Sequence, residues 1–262
     1  MPVCQQKAEI VRTEKLSTDI YRFTLQAPDM ASVASPGQFI MVRAGEGLDP
    51  LLRRPFSIHQ VTGDGSVRIL IKVIGKGTQA LAGLQTGERM DVLGPMGRGF
   101  TYSSDQSPHF LVGGGIGIAP LLFLAERLLK KNGPDAIKVL LGARNADEIA
   151  ILVEDFASMG LEVLVTTEDG SLGNKGLVTD ILSDLQDESA ARVYACGPHP
   201  MLKAVVSLCR GRNWDCQVSL ETLMACGLAA CLGCAVLRAD MNGYVHACKD
   251  GPVFNADNVA WL

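Results

Sequence analysis

Phe110-Leu111-Val112-Gly113-Gly114-Gly115-Ile116-Gly117-Ile118-Ala119-Pro120 sets an apolar, strand-like run directly against a glycine-rich turn, and residues 121–130 follow with helical periodicity. A strand, a glycine turn and a helix in that order can make a phosphate site. Glycine lets the backbone come close, and the helix N-terminus offers unpaired N–H groups at a positive dipole end. The loop departs from G-x-G-x-x-G: counted from Gly113 the last position is Ile118, and counted from Gly115 it reads G-x-G-x-x-P, ending on Pro120. Taken alone it reads as well as a tight turn as it does as a ligand loop.

Downstream, strand-like runs at 138–142, 162–166 and 192–196 alternate with helical patterns at 147–159, 177–185 and 200–210. Such alternation predicts a doubly wound parallel sheet. A second loop, Cys196-Gly197-Pro198-His199-Pro200, follows the last of these strands. Ligands bind at the carboxyl ends of parallel strands, so two glycine loops there favour a dinucleotide site over two unrelated turns. Glu168 and Asp169 follow the third strand, where they could bond a ribose and repel a 2′-phosphate. That leans toward NAD rather than NADP, with Arg144 an alternative contact.

Upstream the pattern changes. Residues 1–102 carry short β-rich runs at 7–11, 20–26, 38–43, 56–61, 67–73 and 89–93, with one short helix expected at 78–82. Turns such as Ser35-Pro36-Gly37 and Gly63-Asp64-Gly65 separate them. This spacing predicts an antiparallel β-barrel or sandwich. Arg53-Arg54-Pro55-Phe56-Ser57 and Gly75-Lys76-Gly77-Thr78 place cations and small residues beside it, suited to a pyrophosphate and a ring system. Separately, each is an ordinary charge or turn; their co-occurrence gives them weight.

The C-terminal stretch Cys226-Gly227-Leu228-Ala229-Ala230-Cys231-Leu232-Gly233-Cys234, with Cys248 beyond it, has the C-x4-C-x2-C…C spacing of a plant-type [2Fe–2S] site. Small residues between the thiols allow backbone N–H groups to face sulfur. A Cys4 zinc site is the alternative, although zinc ribbons usually pair two C-x2-C knuckles. This last segment of about 50 residues is expected to need its metal to fold.

Composition limits the remaining classes. The 262 residues are 47% apolar with a net charge of −4 and no basic block, which argues against a nucleic-acid partner. The first residues, MPVCQQKAEIVRTEKL, lack the apolar centre of a secretory signal, so a cytoplasmic protein is expected. Eight cysteines in a reducing compartment read as metal or redox groups rather than disulfides. The uncharged run at 106–125 approaches membrane-spanning length but is broken by glycines and prolines. Cys4, Cys209 and Cys216 have no partners at ligand spacing and read as small packed side chains. His199 and His246 are weak candidates for acid–base work, and His246 could instead tune a site at Cys248.

In chain order, Arg54-Pro55-Phe56-Ser57, Gly77-Thr78, Gly94-Pro95-Met96-Gly97, residues 113–120 and Cys196-Gly197-Pro198 resemble the ferredoxin–NADP reductase superfamily. The added cysteine block and the tail Cys248-Lys249-Asp250-Gly251-Pro252-Val253-Phe254 resemble the electron-transfer subunits of type 1B dihydroorotate dehydrogenases. The resemblance implies three parts: an FAD barrel at 1–102, an NAD domain at 103–215 and a [2Fe–2S] subdomain at 216–262. It implies FAD held by Arg54, Pro55, Phe56, Ser57, Ile71, Lys72, Val73, Gly77 and Thr78. Nicotinamide would lie between Gly113, Gly114, Gly115, Gly117 and Pro120 on one side and Cys196, Gly197 and Pro198 on the other. Cys226, Cys231, Cys234 and Cys248 would hold the cluster, with no residue assigned as catalytic.

The function so implied is electron relay in pyrimidine biosynthesis. An FMN-containing catalytic subunit passes electrons through the cluster and FAD to NAD+, in a heterotetramer of two plus two subunits. Flavin subunits of sulfhydrogenases and of NADH-dependent ferredoxin–NADP oxidoreductases share the module and differ in partner. A zinc-stapled nucleotide-binding regulator and a self-sufficient NADH diaphorase are the readings from outside that group.

Overall fold

The computed structural model describes residues 3–45, 47–103, 107–185 and 190–261. Its first half is built from β1 (Cys4–Lys15), β2 (Ile20–Gln26), α1 (Pro28–Val33), β3 (Phe39–Val42), β4 (Arg54–Val61), β5 (Ser66–Lys72), α2 (Lys76–Ala82) and β6 (Arg89–Met96). The six strands close into a barrel in the order β1-β2-β5-β4-β3-β6, every pair antiparallel. Strand side chains alternate between faces, and Ile10, Phe23, Leu25, Ile69, Ile71 and Val92 fill the interior with no exposed surface. β1 runs well beyond the expected 7–11 because it serves two neighbours. Its first part pairs with β6 and its second with β2, with a bulge between Ile10 and Arg12.

The second half continues with β7 (His109–Gly114), α3 (Leu121–Asn132), β8 (Ile137–Ala143), α4 (Ala150–Ala157), β9 (Glu162–Thr167) and β10 (Asn174–Lys175). It then runs through α5 (Val178–Asp184), β11 (Arg192–Cys196), α6 (His199–Arg212) and β12 (Asp215–Ser219). The sheet order is β10-β9-β8-β7-β11-β12-β15, in which β15 (Val253–Asn255) comes from the C-terminal tail and pairs antiparallel with β12. From β7 the chain steps outward through β8 and β9, then returns to place β11 on the opposite side of β7. The loops after β7 and β11 therefore flank the topological switch point, where open parallel sheets bind ligands.

Two features differ from the sequence expectation. The helix expected at 147–159 begins at Ala150, because Asn145 Oδ1 accepts the Glu148 N–H at 3.2 Å and closes a 3-10 turn over Ala146–Glu148. Strands β12 and β15, together with the small hairpin β13 (Ala235–Leu237) and β14 (Tyr244–His246), were not foreseen. The sheet thus takes strands from both ends of the segment that carries the cysteines. Just past the expected boundary at 102–103, residues 104–106 lie outside those described. The halves also share a core: Phe123 of α3 packs among the barrel side chains. No helix among the described residues is long and apolar enough to cross a membrane.

Candidate functional site

One cleft of about 1040 Å³ opens between the barrel and the parallel sheet. On the barrel side it is lined by Arg54, Pro55, Phe56 and Ser57 of β4, by Lys72 at the end of β5, and by Gly77 and Thr78. Adjacent arginines have separate partners. Arg53 is pinned to the Asp91 carboxylate at 2.8 Å and to the Asp91 carbonyl at 2.9 Å. Arg54 instead lies across Gly77, where a Cβ would sit 2.9 Å from its Nε. Thr78 Oγ1 accepts the N–H groups of Ile74 and Gly75, at 2.9 and 3.1 Å, and so fixes the turn that carries Gly77. Ile71 faces the barrel interior, fully buried, and Val73 ties its N–H to the Asp19 carbonyl at 2.7 Å.

The opposite wall comes from the two glycine loops, and they touch. A Cβ on Gly117 would lie 2.5 Å from the Cys196 carbonyl oxygen, and one on Gly197 would lie 3.1 Å from Gly114 Cα. Gly117, Pro120 and Cys196 line the cleft. Gly113 and Gly114 sit behind them: side chains at these positions would strike Ile118 and Met201 respectively, and Pro198 closes over Gly114. Gly115 turns the loop with φ +54°. Burial, reinforced by Glu221, pushes the Cys196 thiol up to about 12, so it is held as the neutral thiol.

The third wall is the segment 219–225 with Gly233, which brings the cysteine loop to the cleft. Gly227 has φ +70° and leans on the barrel, where a Cβ would meet Met41 Cγ at 2.7 Å. Ala229 and Leu232 also adopt left-handed backbone, with φ 58° and 57°. This coil aims amides at sulfur. Cys226 Sγ accepts the N–H groups of Leu228 and Cys231 at 3.3 and 3.4 Å, and Cys248 Sγ accepts that of Ala229 at 3.3 Å. Those amides, Cys231 first, hold the Cys226 thiol down to about 7, whereas burial and then Cys234 raise Cys248 to about 11. Cys234 and Cys248 are buried with sulfurs 3.2 Å apart, and Cys231 is exposed. No three His, Cys, Asp or Glu side chains among the described residues are gathered as a bound metal ion would need. Asp250 completes the loop by accepting the His246 N–H at 2.8 Å, beside Cys248.

Sequence reasoning missed three residues. Glu221 and Thr222 follow β12 and line the cleft, and desolvation raises the Glu221 carboxyl above its ordinary range. Their position after a parallel strand would have marked them, had β12 been recognised. Glu148 joins the halves: its carboxylate binds Lys72 Nζ and Arg144 Nε, each at 2.9 Å. Arg144 is therefore already engaged by an acid. Asp169 is tied into its own turn by Ser171, at 2.9 Å from N–H and 2.6 Å from Oγ.

Comparison with known proteins divides the chain in the same order. Residues 7–102 match the oxidoreductase FAD-binding domain, 111–207 the oxidoreductase NAD-binding domain, and 221–260 the iron–sulfur cluster binding domain of dihydroorotate dehydrogenase B. Among curated relatives, the dihydroorotate dehydrogenase B (NAD(+)) electron transfer subunit of Desulforamulus reducens is 41% identical over 260 residues, 97% of each chain. That of Fusobacterium nucleatum is 38% identical, covering 94% of each. Among solved structures, one described for flavin-based electron bifurcation by an NADH-dependent reduced ferredoxin–NADP oxidoreductase superposes with a TM-score of 0.87. It shares 32% identity and covers 98% of this chain and 90% of that one.

Proposed function

The chain belongs to the electron-transfer subunits of dihydroorotate dehydrogenase B, and from that footing we propose how its residues divide the work of relaying electrons between a catalytic partner subunit and NAD+. The observation that carries the reading is that one cleft touches all three candidate sites: residues 54–57, Gly117 with Cys196, and Gly233 of the cysteine loop. Carriers held by those residues would share a single space. Bound FAD would exchange the two electrons of a hydride with the one-electron steps of a [2Fe–2S] cluster.

The residues fit that cargo. Arg54 offers a guanidinium to a pyrophosphate, and Gly77 leaves the room that keeps it there. Phe56 and Ser57 supply an apolar wall and a hydroxyl. The four thiols suit a binuclear cluster, which asks for two thiolates on each iron rather than four on one. The close pair Cys234 and Cys248 would hold one iron, and Cys226, whose sulfur accepts the Cys231 N–H, would hold the other with Cys231. Amides on Cys226 and Cys248 stabilise thiolate charge there. Between the glycine loops, the neutral Cys196 thiol packs without adding charge, and burial raises the Glu221 carboxyl above its ordinary range at the cleft wall.

The finer readings rest on the same footing. Glu168 and Asp169, with Arg144 occupied by Glu148, favour NAD over NADP. The functional parts run 1–102, 103–215 and 216–262, with the last contributing strands to the sheet of the second. Leu228 and Leu232, about half exposed beside the cysteines, form the edge that meets the catalytic subunit, in a cytoplasmic assembly of two plus two chains. A charge at either leucine should slow partner-coupled turnover. The likeness to the ferredoxin–NADP oxidoreductase structure supports a second reading that differs only in partner. Co-expression with an FMN-containing dihydroorotate dehydrogenase subunit decides between them. Dihydroorotate-driven NAD+ reduction by a stable complex supports the first; no complex, with turnover supported by ferredoxin, supports the second.

A further inference from the structure

His59 lies on β4, two positions beyond Ser57, and is fully buried where the barrel meets the nucleotide half. Its Nδ1 is 2.8 Å from the carbonyl oxygen of Ala119, the residue before Pro120 in the glycine loop. A carbonyl only accepts, so Nδ1 carries the proton and donates it. Nε2 has no hydrogen-bond partner among the described residues; the nearest acid, Asp155, stands 3.9 Å away with its Oδ2 taken by Arg22 at 2.6 Å. One strand thus carries Ser57 into the cleft and, at an irregularity between Ile58 and Gln60, a group that grips the loop forming the opposite wall.

Other described barrel side chains that cross the same boundary do so elsewhere. Arg22 and Gln60 reach the helices α4 and α3, at Asp155 and Glu126, and Lys72 reaches the turn that carries Glu148. Only His59, of these four, holds the glycine loop itself, and it does so out of water. The other three contacts are partly buried and end on helices or a turn, whereas the fully buried His59 bond, with no solvent to replace it, fixes the glycine loop.

We propose that His59 is a positioning residue that sets the spacing between the flavin-binding strand and the nicotinamide loop, and through it the hydride step between NADH and flavin. The inference rests on the relay reading above. Misplacement of reacting partners by about 1 Å can cost on the order of a hundredfold in rate, so a single tether at this seam has leverage.

The test compares H59N, whose amide donor can take the place of Nδ1, with H59Q, whose donor reaches past it, both as full-length holoprotein. Flavin reduction is followed after anaerobic mixing with NADH, and amide exchange is read over residues 113–125. H59Q should reduce its flavin about tenfold or more slowly at saturating NADH, with faster exchange in the loop and unchanged flavin and iron content. H59N should stay within about threefold of wild type and keep the loop protected. D155N, which alters the same seam without touching Nδ1, should match wild type. The proposal is overturned if H59Q behaves as wild type, if H59N is impaired as badly as H59Q, or if D155N loses as much. Should H59Q fail to retain flavin, H59N against D155N decides alone: both at wild-type rate supports the tether, and an impaired H59N overturns it. A wild-type chain whose flavin NADH cannot reduce would instead sink the relay reading, and loop exchange would still report on His59.

Discussion

Gly117 and Cys196 meet backbone to backbone: a Cβ on Gly117 would stand 2.5 Å from the Cys196 carbonyl oxygen. The two loops that flank the switch point are thereby held at a distance only glycine permits. Gly117→Ala must push them apart, and overpacking of this kind costs about 1–3 kcal/mol. The expected result is an NAD+ dissociation constant raised at least tenfold, roughly 1.4 kcal/mol, with flavin content unchanged. Titration of the oxidised holoprotein with NAD+ checks it.

Gly77 plays the corresponding part on the barrel side. Gly77→Ala would place a methyl group 2.9 Å from Arg54 Nε and move the guanidinium off its position. FAD should then be lost on dialysis while the barrel stays folded. Arg54→Lys keeps the charge but not the fork, and should weaken FAD by about 1–2 kcal/mol. Flavin retained after gel filtration is the measurement.

Glu148 gives the pH dependence a sign. The Arg144 guanidinium, and then Lys72, hold its carboxyl down to about 2, against an ordinary 4.5. A carboxylate depressed in the folded state stabilises fully above its ordinary value, and that stability is lost as pH falls from about 4.5 toward about 2. Glu148→Gln should therefore cost about 1–3 kcal/mol at pH 7, with the gap to wild type narrowing below about pH 4.5. Melting curves of both proteins taken in parallel across that range read the difference.

What the sequence revealed and what it hid follow one physical rule. Gly113, Gly117 and Gly197 stood out because close packing by side chains at Gly113 and by backbone at Gly117 and Gly197 leaves little room for a Cβ, and the four cysteines because their spacing suits cluster ligands. The connections between halves were not. Lys72 meets Glu148 across 76 positions and His59 meets Ala119 across 60, so no local pattern records either. β15 escaped for a different reason: three residues are too few to show a period, and its place is set by the partner strand β12. The helix expected from 147 starts later because an asparagine side chain, not hydrophobic periodicity, decides where the turn closes.

The cysteine loop depends on left-handed backbone at three positions. Gly227→Ala adds strain at φ +70° and a contact with Met41, so iron per protein should fall by half or more. Leu232→Gly relieves a left-handed residue at φ 57° and should keep its iron and gain up to about 1 kcal/mol. Iron analysis with visible absorbance on freshly purified protein separates the two.

The relay itself is tested most directly by anaerobic titration of the purified chain with NADH, following the visible spectrum and assaying iron and flavin on the same sample. The account predicts that flavin and cluster bands bleach together, with about two irons for each flavin. A colourless, zinc-loaded protein that takes up neither flavin nor iron after anaerobic reconstitution would contradict it.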